Sequence, residues 1–334
     1  MRCFVTGATG FLGTNLVHAL VERGHQVRAL VRPGRGVRGV LQGDVETVMG
    51  DLGDSSALRR MMQGCDWCFH AAASYHLWLP DYRPMYAANI EGTRHVLEAA
   101  VACGISRVIY TSTVGCIGIP HTRNGRVIPS DESTVQPASE RFSHYKRTKW
   151  EAEKLALEFA ARGAPVIIVN PTAPAGCFDA RPTPTGQIIL DFLNGRLPAY
   201  VDTGLNWVHV RDVADGHLLA AERGRVGERY ILGHAEGNWT FREALETLAS
   251  LTGRAPPRMR IPHGVAWCAA LASEVIARFT GHPPRAPLAG ARMARNKMWF
   301  NPAKAIRDLG LPQTPPRQAL ADAVQWFCAN KYVK

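Results

Sequence analysis

The 334-residue chain has the composition of an ordinary globular protein, with 46% hydrophobic and 20% charged side chains. Its length suits two domains or one large one. The formal net charge of +11 fits a solvated basic surface, or contact with an anionic cofactor, substrate or membrane surface. No nucleic-acid-binding motif accompanies the charge, so nucleic acid is not an expected partner.

The cysteines and the apolar stretches bear on the cellular compartment. Eight cysteines are scattered along the chain, and the one C-x-x-C pair, Cys65 and Cys68, leads into a predicted strand and has no second pair. We therefore expect reduced thiols and no metal site. The chain starts directly on a predicted strand, and the most apolar late stretch, 264–273, is too short to span a bilayer. These features predict a cytoplasmic protein without a signal peptide.

Strands and helices are predicted to alternate through the first half of the chain. In chain order they are a strand at 2–6, a helix at 11–23, strands at 26–31 and 45–49, a helix at 55–63, a strand at 66–70, a helix at 82–103, a strand at 107–111, a helix at 144–162 and a strand at 165–169. Continuously apolar strands that alternate with helices are typical of a parallel sheet covered on both faces. Right-handed crossovers make such a sheet doubly wound. The sequence therefore predicts an α/β fold with a Rossmann domain over residues 1–170.

The character of the sequence changes after residue 170. Prolines cluster there, and helices are separated by loops rather than by regular strands. We expect residues 171–334 to form a smaller, mostly helical substrate-binding part over the carboxyl edge of the sheet. Two short apolar pieces within residues 206–232, at 206–210 and 229–232, are predicted to return to the Rossmann sheet.

The first chemical motif is a glycine-rich turn, TGATGFLG, between the first strand and the first helix. Glycine allows a tight turn and close approach to a pyrophosphate, and the helix N-terminus supplies N–H groups and a positive dipole end. The position of the motif directly after the first strand favours dinucleotide binding over a purely structural turn. The cofactor contacts predicted in this turn are Gly7, Thr9, Gly10, Phe11, Leu12 and Gly13.

The end of the second strand distinguishes NAD from NADP. An acidic residue there would bind the ribose 2′-hydroxyl, whereas an arginine would accommodate a 2′-phosphate. Here Arg32 directly follows the strand, Arg35 comes three residues later, and no acid is present. The sequence therefore favours NADP(H) over NAD(H), with ordinary surface arginines as the alternative.

Two further segments are predicted to contact the cofactor. Asp51 and Leu52 follow the third strand, where the adenine edge would lie. Ala71, Ala72 and Ala73 follow the fourth strand, and such small side chains leave room for the cofactor to cross the edge of the sheet.

The second chemical motif is Y-x-x-x-K, from Tyr145 to Lys149, on a predicted helix. This spacing puts both side chains on one helix face, so the ammonium is expected to lower the tyrosine pKa from about 10. The tyrosine would exchange a proton with a substrate oxygen while a nicotinamide exchanges hydride. The alternative is an ordinary polar helix face. A run of hydroxyls at 111–113 ends the fifth strand, and one of them would hydrogen-bond the substrate carbonyl.

In this order, the motifs resemble those of the extended short-chain dehydrogenases/reductases, and the resemblance covers nearly the whole chain. The matching segments are the glycine turn, the small residues after His70, Asn89 in the long helix, the hydroxyl run, the tyrosine–lysine pair, the segment 170–172 and the segment 208–213. The resemblance implies an NAD(P)-dependent oxidoreductase. It implies the catalytic residues Thr113, Tyr145 and Lys149. It also implies further cofactor contacts at Asn89, Thr111, Tyr145, Lys149, Pro171 and Thr172.

Within that family the chain resembles the dihydroflavonol 4-reductase and 3β-hydroxysteroid dehydrogenase branch and the bacterial hopanoid-associated sugar epimerase proteins. The segments that carry this resemblance are 74–81, 149–153, 182–186 and 191–206. Nucleotide-sugar 4,6-dehydratases have an Asp-Glu pair where this chain has Val114-Gly115, and nucleotide-sugar epimerases usually have a basic residue near 205–207, which is neutral here. Both departures disfavour a nucleotide sugar.

Two apolar segments are candidates for contact with the substrate and with a membrane surface. Tyr75 and Trp78 are predicted to line an apolar substrate wall, with core packing under a loop as the alternative. A mostly apolar helix is expected at 265–279, followed by basic residues. It suits a weak peripheral contact with anionic lipid at the inner face of a membrane, and the alternative is a packed helix with basic edges.

These observations support three functional hypotheses. The first is an NADP(H)-dependent oxidoreductase that transfers hydride to or from a ketone or alcohol carbon of a polycyclic or isoprenoid substrate, such as a hopanoid or sterol. The second is an NAD(P)-dependent sugar epimerase. The third, a non-catalytic cofactor-sensing protein, is disfavoured by the intact Thr-Tyr-Lys triad. The long helices at 82–103 and 144–162 are candidates for a homodimer interface.

Overall fold

A seven-stranded parallel sheet forms the centre of the molecule. The computed structural model describes residues 1–34, 45–284 and 286–333. The strands in this part of the chain are β1 (Arg2–Thr6), β2 (Gln26–Val31), β3 (Val45–Met49), β4 (Trp67–His70), β5 (Arg107–Thr111), β6 (His121–Arg123), β7 (Arg126–Ile128), β8 (Val166–Pro171), β9 (Ala173–Ala175), β10 (Ala199–Tyr200), β11 (Gly204–His209), β12 (Arg229–Leu232), β13 (Asn238–Thr240), β14 (Met259–Arg260) and β15 (Lys297–Met298). The central sheet has the order β12-β8-β5-β4-β1-β2-β3, which confirms the predicted doubly wound Rossmann fold.

Helices cover both faces of this sheet. In chain order, the α-helices of the described residues, on this sheet and elsewhere, are α1 (Phe11–Glu22), α2 (Ser55–Met62), α3 (Arg83–Tyr86), α4 (Gly92–Ala102), α5 (His144–Ala161), α6 (Pro184–Leu193), α7 (Val210–Arg223), α8 (Phe241–Thr252), α9 (His263–Thr280), α10 (Leu288–Met293), α11 (Ala303–Leu309) and α12 (Pro316–Ala329). A π-helical turn at Ala87–Glu91 joins α3 to α4, so the predicted helix at 82–103 contains a widened turn that its apolar pattern did not reveal.

The strands are apolar throughout because each packs against helices on both sides. Val5 of β1 belongs to a cluster that includes Leu16 of α1 and Leu218 of α7. Phe4, the preceding residue, belongs to a second cluster with Leu97 of α4 on the opposite face. Successive side chains of a strand point to opposite faces of the sheet. When helices cover both faces, every position is buried, and apolar residues do not alternate with polar ones.

One of the two short pieces predicted to return to the central sheet does so. Strand β12 pairs with β8 in parallel. The prediction is wrong for residues 206–210, because β11 pairs instead with β9, β13 and β15 in a small separate sheet. An apolar run indicates a buried strand but does not indicate which strand it pairs with.

Helix α9 lies largely exposed on the surface. Among its residues only Ala270 and Ala277 are buried. This exposure does not fit the alternative of a packed helix with basic edges, because most of the large apolar side chains of α9 face outward. Within the described residues no helix is long and apolar enough to cross a membrane.

Candidate active site

The glycine turn accepts no side chain at its first and third glycines. Gly7 has φ +75°, and a Cβ there would lie 2.6 Å from the backbone N of Ala72. A Cβ on Gly13 would lie 2.0 Å from the carbonyl oxygen of Gly7. The turn is closed by the Gly10 N–H, which donates to that same carbonyl at 2.9 Å. The resulting cradle, with the N-terminus of α1 behind it, fits a pyrophosphate.

The other residues predicted in this turn begin the helix. Phe11 and Leu12 are half-buried in the first turn of α1. The Thr9 carbonyl accepts a 3.1 Å hydrogen bond from Arg181, an exposed cation that sequence reasoning missed. Arg181 lies in a loop far along the chain, so only the fold brings its charge to the glycine turn.

The residues predicted on the adenosine side lie after β2 and β3. Arg32 is exposed directly after β2. Asp51 is exposed and accepts a hydrogen bond from the Gly53 N–H at 2.9 Å, and Leu52 is half-buried. Arg35 lies outside the described residues.

A buried histidine joins the end of β4 to the first strand. The Thr6 hydroxyl lies 2.7 Å from His70 Nδ1 and also accepts the Ala72 N–H at 3.2 Å. His70 Nε2 lies 3.0 Å from the Thr93 hydroxyl, which donates to the Asn89 carbonyl at 2.7 Å. Burial lowers the pKa of His70 to about 3, so the ring is a neutral link. The predicted Ala71 and Ala72 are half-buried beside it, and Ala73 is exposed.

Asn89 lies in the π-helical turn and connects two loops near the predicted site. Its side-chain nitrogen donates to the Ser74 carbonyl and to the Thr148 hydroxyl, each at 3.0 Å. Its side-chain oxygen accepts the Ser74 N–H at 2.7 Å. Widened helical turns are frequent at functional sites, and this one holds the loop after β4 against α5.

Helix α5 brings Tyr145 to Thr113. The Ser143 hydroxyl caps the helix by accepting the Lys146 N–H at 3.2 Å, so Tyr145 lies in the first turn. The Thr113 hydroxyl accepts the Gly115 N–H at 3.1 Å, and it lies near enough to the Tyr145 phenol to act on the pKa of that phenol. Two of the three predicted catalytic residues therefore lie close together.

Lys149, the third predicted catalytic residue, faces β5. Its ammonium donates to the Tyr110 hydroxyl at 3.0 Å and to the Thr111 carbonyl at 2.8 Å. Burial lowers the pKa of Lys149 to about 8. Burial also raises the pKa of Tyr145 well above its usual value. The expected lowering of that pKa is wrong for this structure, because the ammonium bonds β5 and the phenol is desolvated.

The remaining predicted cofactor residues end β5 and β8. The Thr111 hydroxyl lies 2.9 Å from Nε2 of His217, whose Nδ1 donates to the Val213 carbonyl. The Thr111 hydroxyl is therefore within hydrogen-bonding distance of a histidine of α7. Pro171 ends β8, and the Thr172 N–H donates to the Leu232 carbonyl at 3.1 Å.

The predicted substrate residues lie on the loop after β4. The ring of Tyr75 meets that of Tyr145 edge-on, with 4.2 Å between centroids. Trp78 is half-buried on the same loop. Tyr75 thus contacts the predicted catalytic tyrosine directly.

Sequence reasoning missed a buried carboxylate behind this group. Glu153 accepts a 2.7 Å hydrogen bond from the side chain of Asn170, which also donates to the Thr113 carbonyl at 3.0 Å. Arg229 of β12 pairs with Glu153 at 3.3 Å. The signal was present, because Glu153 follows Lys149 by four residues and so shares its buried helix face.

A glycine cradle at the carboxyl edge of a parallel sheet, beside a hydroxyl–tyrosine–lysine group, is the arrangement of an NAD(P)-dependent oxidoreductase of the extended short-chain type. The chain belongs to the NAD dependent epimerase/dehydratase family, whose model matches residues 3–233.

Relatives match over almost their entire length. A Synechocystis sp. protein with the provisional name dihydroflavonol 4-reductase is 44% identical over 335 residues, covering 99% of this chain and 96% of the relative. Sterol demethylase protein B of Methylococcus capsulatus is 36% identical, covering 98% of each chain. A 4-hydroxy-2-methyl-3-oxo-4-farnesyl-3,4-dihydroquinoline-1-oxide ketoreductase of Stigmatella aurantiaca is 34% identical, covering 97% and 96%. The crystal structure of gox2253 superposes with a TM-score of 0.87 at 40% identity, covering 100% of this chain and 99% of that one.

Proposed function

We propose that the protein is an NADP(H)-dependent oxidoreductase that transfers hydride to or from a ketone or alcohol carbon of a polycyclic or isoprenoid substrate. The placement of the Tyr145 phenol near the Thr113 hydroxyl and against the ring of Tyr75, with 4.2 Å between the two ring centroids, carries this proposal. It sets two hydroxyls and an aromatic wall around one point where a substrate oxygen would bind.

Tyr145 is the proposed proton donor to the substrate ketone. The Thr113 hydroxyl accepts the Gly115 N–H, and its own proton would be donated to the substrate oxygen. The raised pKa of Tyr145 keeps the phenol protonated at neutral pH, which suits reduction. A bound nicotinamide would supply or accept the hydride. Lys149, held by two acceptors on β5, would bind the ribose of that cofactor.

The residues of the glycine turn and the strand ends would hold the dinucleotide. Gly7, Gly10 and Gly13 shape the pyrophosphate cradle. Arg32, with no acid beside it at the end of β2, supports NADP(H) as the preferred cofactor. Asp51 would lie towards the adenine.

The substrate class rests on the lining of the site and on the names of relatives. Tyr75 and Trp78 provide aromatic surface, and Val114-Gly115 provides no acid–base pair for elimination. Two relatives are named for a sterol demethylase and for a ketoreductase of a farnesylated quinoline oxide. Both names support a bulky apolar substrate.

A sugar epimerase is the second candidate, favoured by the name of the family. Such an enzyme oxidises and re-reduces one carbon. The segment expected to meet a sugar diphosphate is unsuited to it, because Asn206 and Trp207 are buried. The Asn206 side chain is also bonded to the His234 carbonyl at 2.9 Å.

The test is the melting temperature of the NADPH-saturated protein with polycyclic or isoprenoid ketones and, separately, with nucleotide sugars. A ligand that binds only the folded state raises the melting temperature. We expect a rise with the ketones, followed by NADPH oxidation with the binding ketone. A rise with nucleotide sugars alone would replace this proposal by the epimerase.

A further inference from the structure

Helix α9 presents a continuous apolar surface that the proposed chemistry does not use. Six large apolar side chains of this helix are exposed, and Phe279 at its end is 88% exposed. The six are Val265, Trp267, Leu271, Val275, Ile276 and Phe279. Isolated exposed apolar residues are ordinary, but a row of six along one helix marks an interaction site.

These side chains share one side of the helix. At 3.6 residues per turn, the six fall within roughly half of the helix circumference. The 18 residues of α9 extend this face over about 27 Å. Arg278 lies in the same half of the circumference, near the C-terminal end of the helix. Glu274, the one carboxylate of α9, lies at the edge of that half. We call this surface the α9 face.

The chain around the α9 face is strongly basic. Residues 253–300 contain eight lysine and arginine residues and a single carboxylate, that of Glu274. The basic residues of this segment are Arg254, Arg258, Arg260, Arg278, Arg285, Arg292, Arg295 and Lys297. Glu274 accepts the Leu288 N–H at 2.9 Å, so its charge is turned towards the start of α10. This segment, about one seventh of the chain, therefore contributes most of the net positive charge of the protein.

Helix α9 is connected through α10 to the loop that carries the predicted substrate wall. Helix α10 packs against α9, and a Cβ on Gly290 of α10 would lie 3.7 Å from Leu77 Cδ1. Arg292 of α10 donates to the Ser139 carbonyl at 3.1 Å and stacks 4.1 Å above the ring of Phe142, just before α5. Helix α10 therefore lies between α9 and the loop that carries Tyr75.

We propose that the α9 face docks on an anionic lipid bilayer, with α9 lying in the plane of the membrane surface. The apolar side chains of the α9 face would contact the acyl chains of the lipids, and the arginines around them would bind the lipid phosphates. A second copy of this chain would bring a second basic surface against the first, and the like charges would repel. No helix of the described residues can span a bilayer, which fits contact in the plane.

The test is co-sedimentation of the full chain with phosphatidylglycerol–phosphatidylcholine vesicles and with phosphatidylcholine vesicles alone. We expect binding to the anionic vesicles at least about tenfold stronger than to the neutral ones, and weaker binding in high salt. The double variant Val275→Glu/Phe279→Glu should lose about tenfold or more in affinity. Because both side chains are exposed, its melting temperature should match that of the parent.

A matched control and an independent signal make the result specific. Val135 and Val226 are 83% and 44% exposed outside α9, so Val135→Glu/Val226→Glu introduces the same two charges and should bind vesicles like the parent. Anionic vesicles should shift the tryptophan emission to shorter wavelength, and Trp267→Phe should remove most of that shift. Reduction of a water-soluble ketone with NADPH should be unchanged in Val275→Glu/Phe279→Glu.

Three results would overturn the proposal. They are no binding to anionic vesicles, equal binding by the parent and the double variant, or a parent dimer in light scattering that the double variant abolishes. The last result would make the α9 face an interface between copies of this chain. The proposed oxidoreductase activity stands independently, since it fails only if no ketone is turned over in solution or on vesicles.

Discussion

The Lys149 ammonium donates a 3.0 Å hydrogen bond to the Tyr110 hydroxyl, and burial lowers its pKa to about 8. Lys149 is therefore charged below that pH and loses its charge above it. We expect kcat/KM for ketone reduction to fall above pH about 8. Tyr110→Phe removes one acceptor of the charged form and should move this limb to lower pH. A pH profile that stays flat up to the region where Tyr145 ionises would contradict the assigned role of Lys149.

Tyr145→Phe should lower kcat/KM by roughly a thousandfold, because it removes the proposed proton donor. Affinity for NADPH, measured by fluorescence titration, should change little. Tyr75→Phe is the matched control, since Tyr75 packs against Tyr145 and also loses only a hydroxyl. Its activity should stay within about tenfold of the parent. Full activity of Tyr145→Phe would show that Tyr145 is not the proton donor.

Gly7→Ala should abolish tight cofactor binding. The new Cβ would meet the Ala72 backbone at 2.6 Å, in addition to the strain of φ +75°. Gly24 has the nearly identical φ of +76° with nothing within 4 Å of a Cβ. Gly24→Ala should therefore cost about 1 kcal/mol of stability without affecting NADPH affinity. Equal NADPH affinity of the two variants would contradict a pyrophosphate cradle at Gly7.

Arg32→Glu should lower kcat/KM with NADPH at least about tenfold and leave that with NADH equal or higher. The carboxylate would repel a 2′-phosphate and accept a hydrogen bond from a 2′-hydroxyl. Arg59→Glu makes the same charge change at an exposed position on α2 and should leave the cofactor ratio unchanged. An unchanged ratio of kcat/KM with NADPH to kcat/KM with NADH in Arg32→Glu would show that Arg32 does not determine the cofactor preference.

Mild acid should destabilise the fold through its buried histidines. Burial lowers the pKa of His217 to about 4 from its usual 6.5, so the folded state favours the neutral ring. Its contribution is complete above pH about 6.5 and is lost as pH falls towards 4, by about 1.4 kcal/mol per pH unit. In urea unfolding, His217→Gln should reduce the slope of the unfolding free energy against pH in that range. The same slope in both proteins would show that His217 does not contribute.

Much of the fold and of the site was predictable because the signals are local. Apolar runs of strand length indicated the central strands, and glycine spacing located the turn before α1. The spacing of Tyr145 and Lys149 indicated a shared helix face, which the helix bears out. The direction in which the Lys149 ammonium points was not predictable, since its acceptors are on β5, more than thirty residues away in sequence.

The sequence by itself determined the Rossmann domain, the glycine turn and the family, because strand and helix periodicities and short motifs depend on neighbouring residues. Tertiary structure alone decided which sheet β11 joins, which two side chains Glu153 contacts and that the apolar side of α9 faces outward. These depend on contacts between segments distant in the chain. The same apolar residue is compatible with a core or with a surface until the packing around it is known.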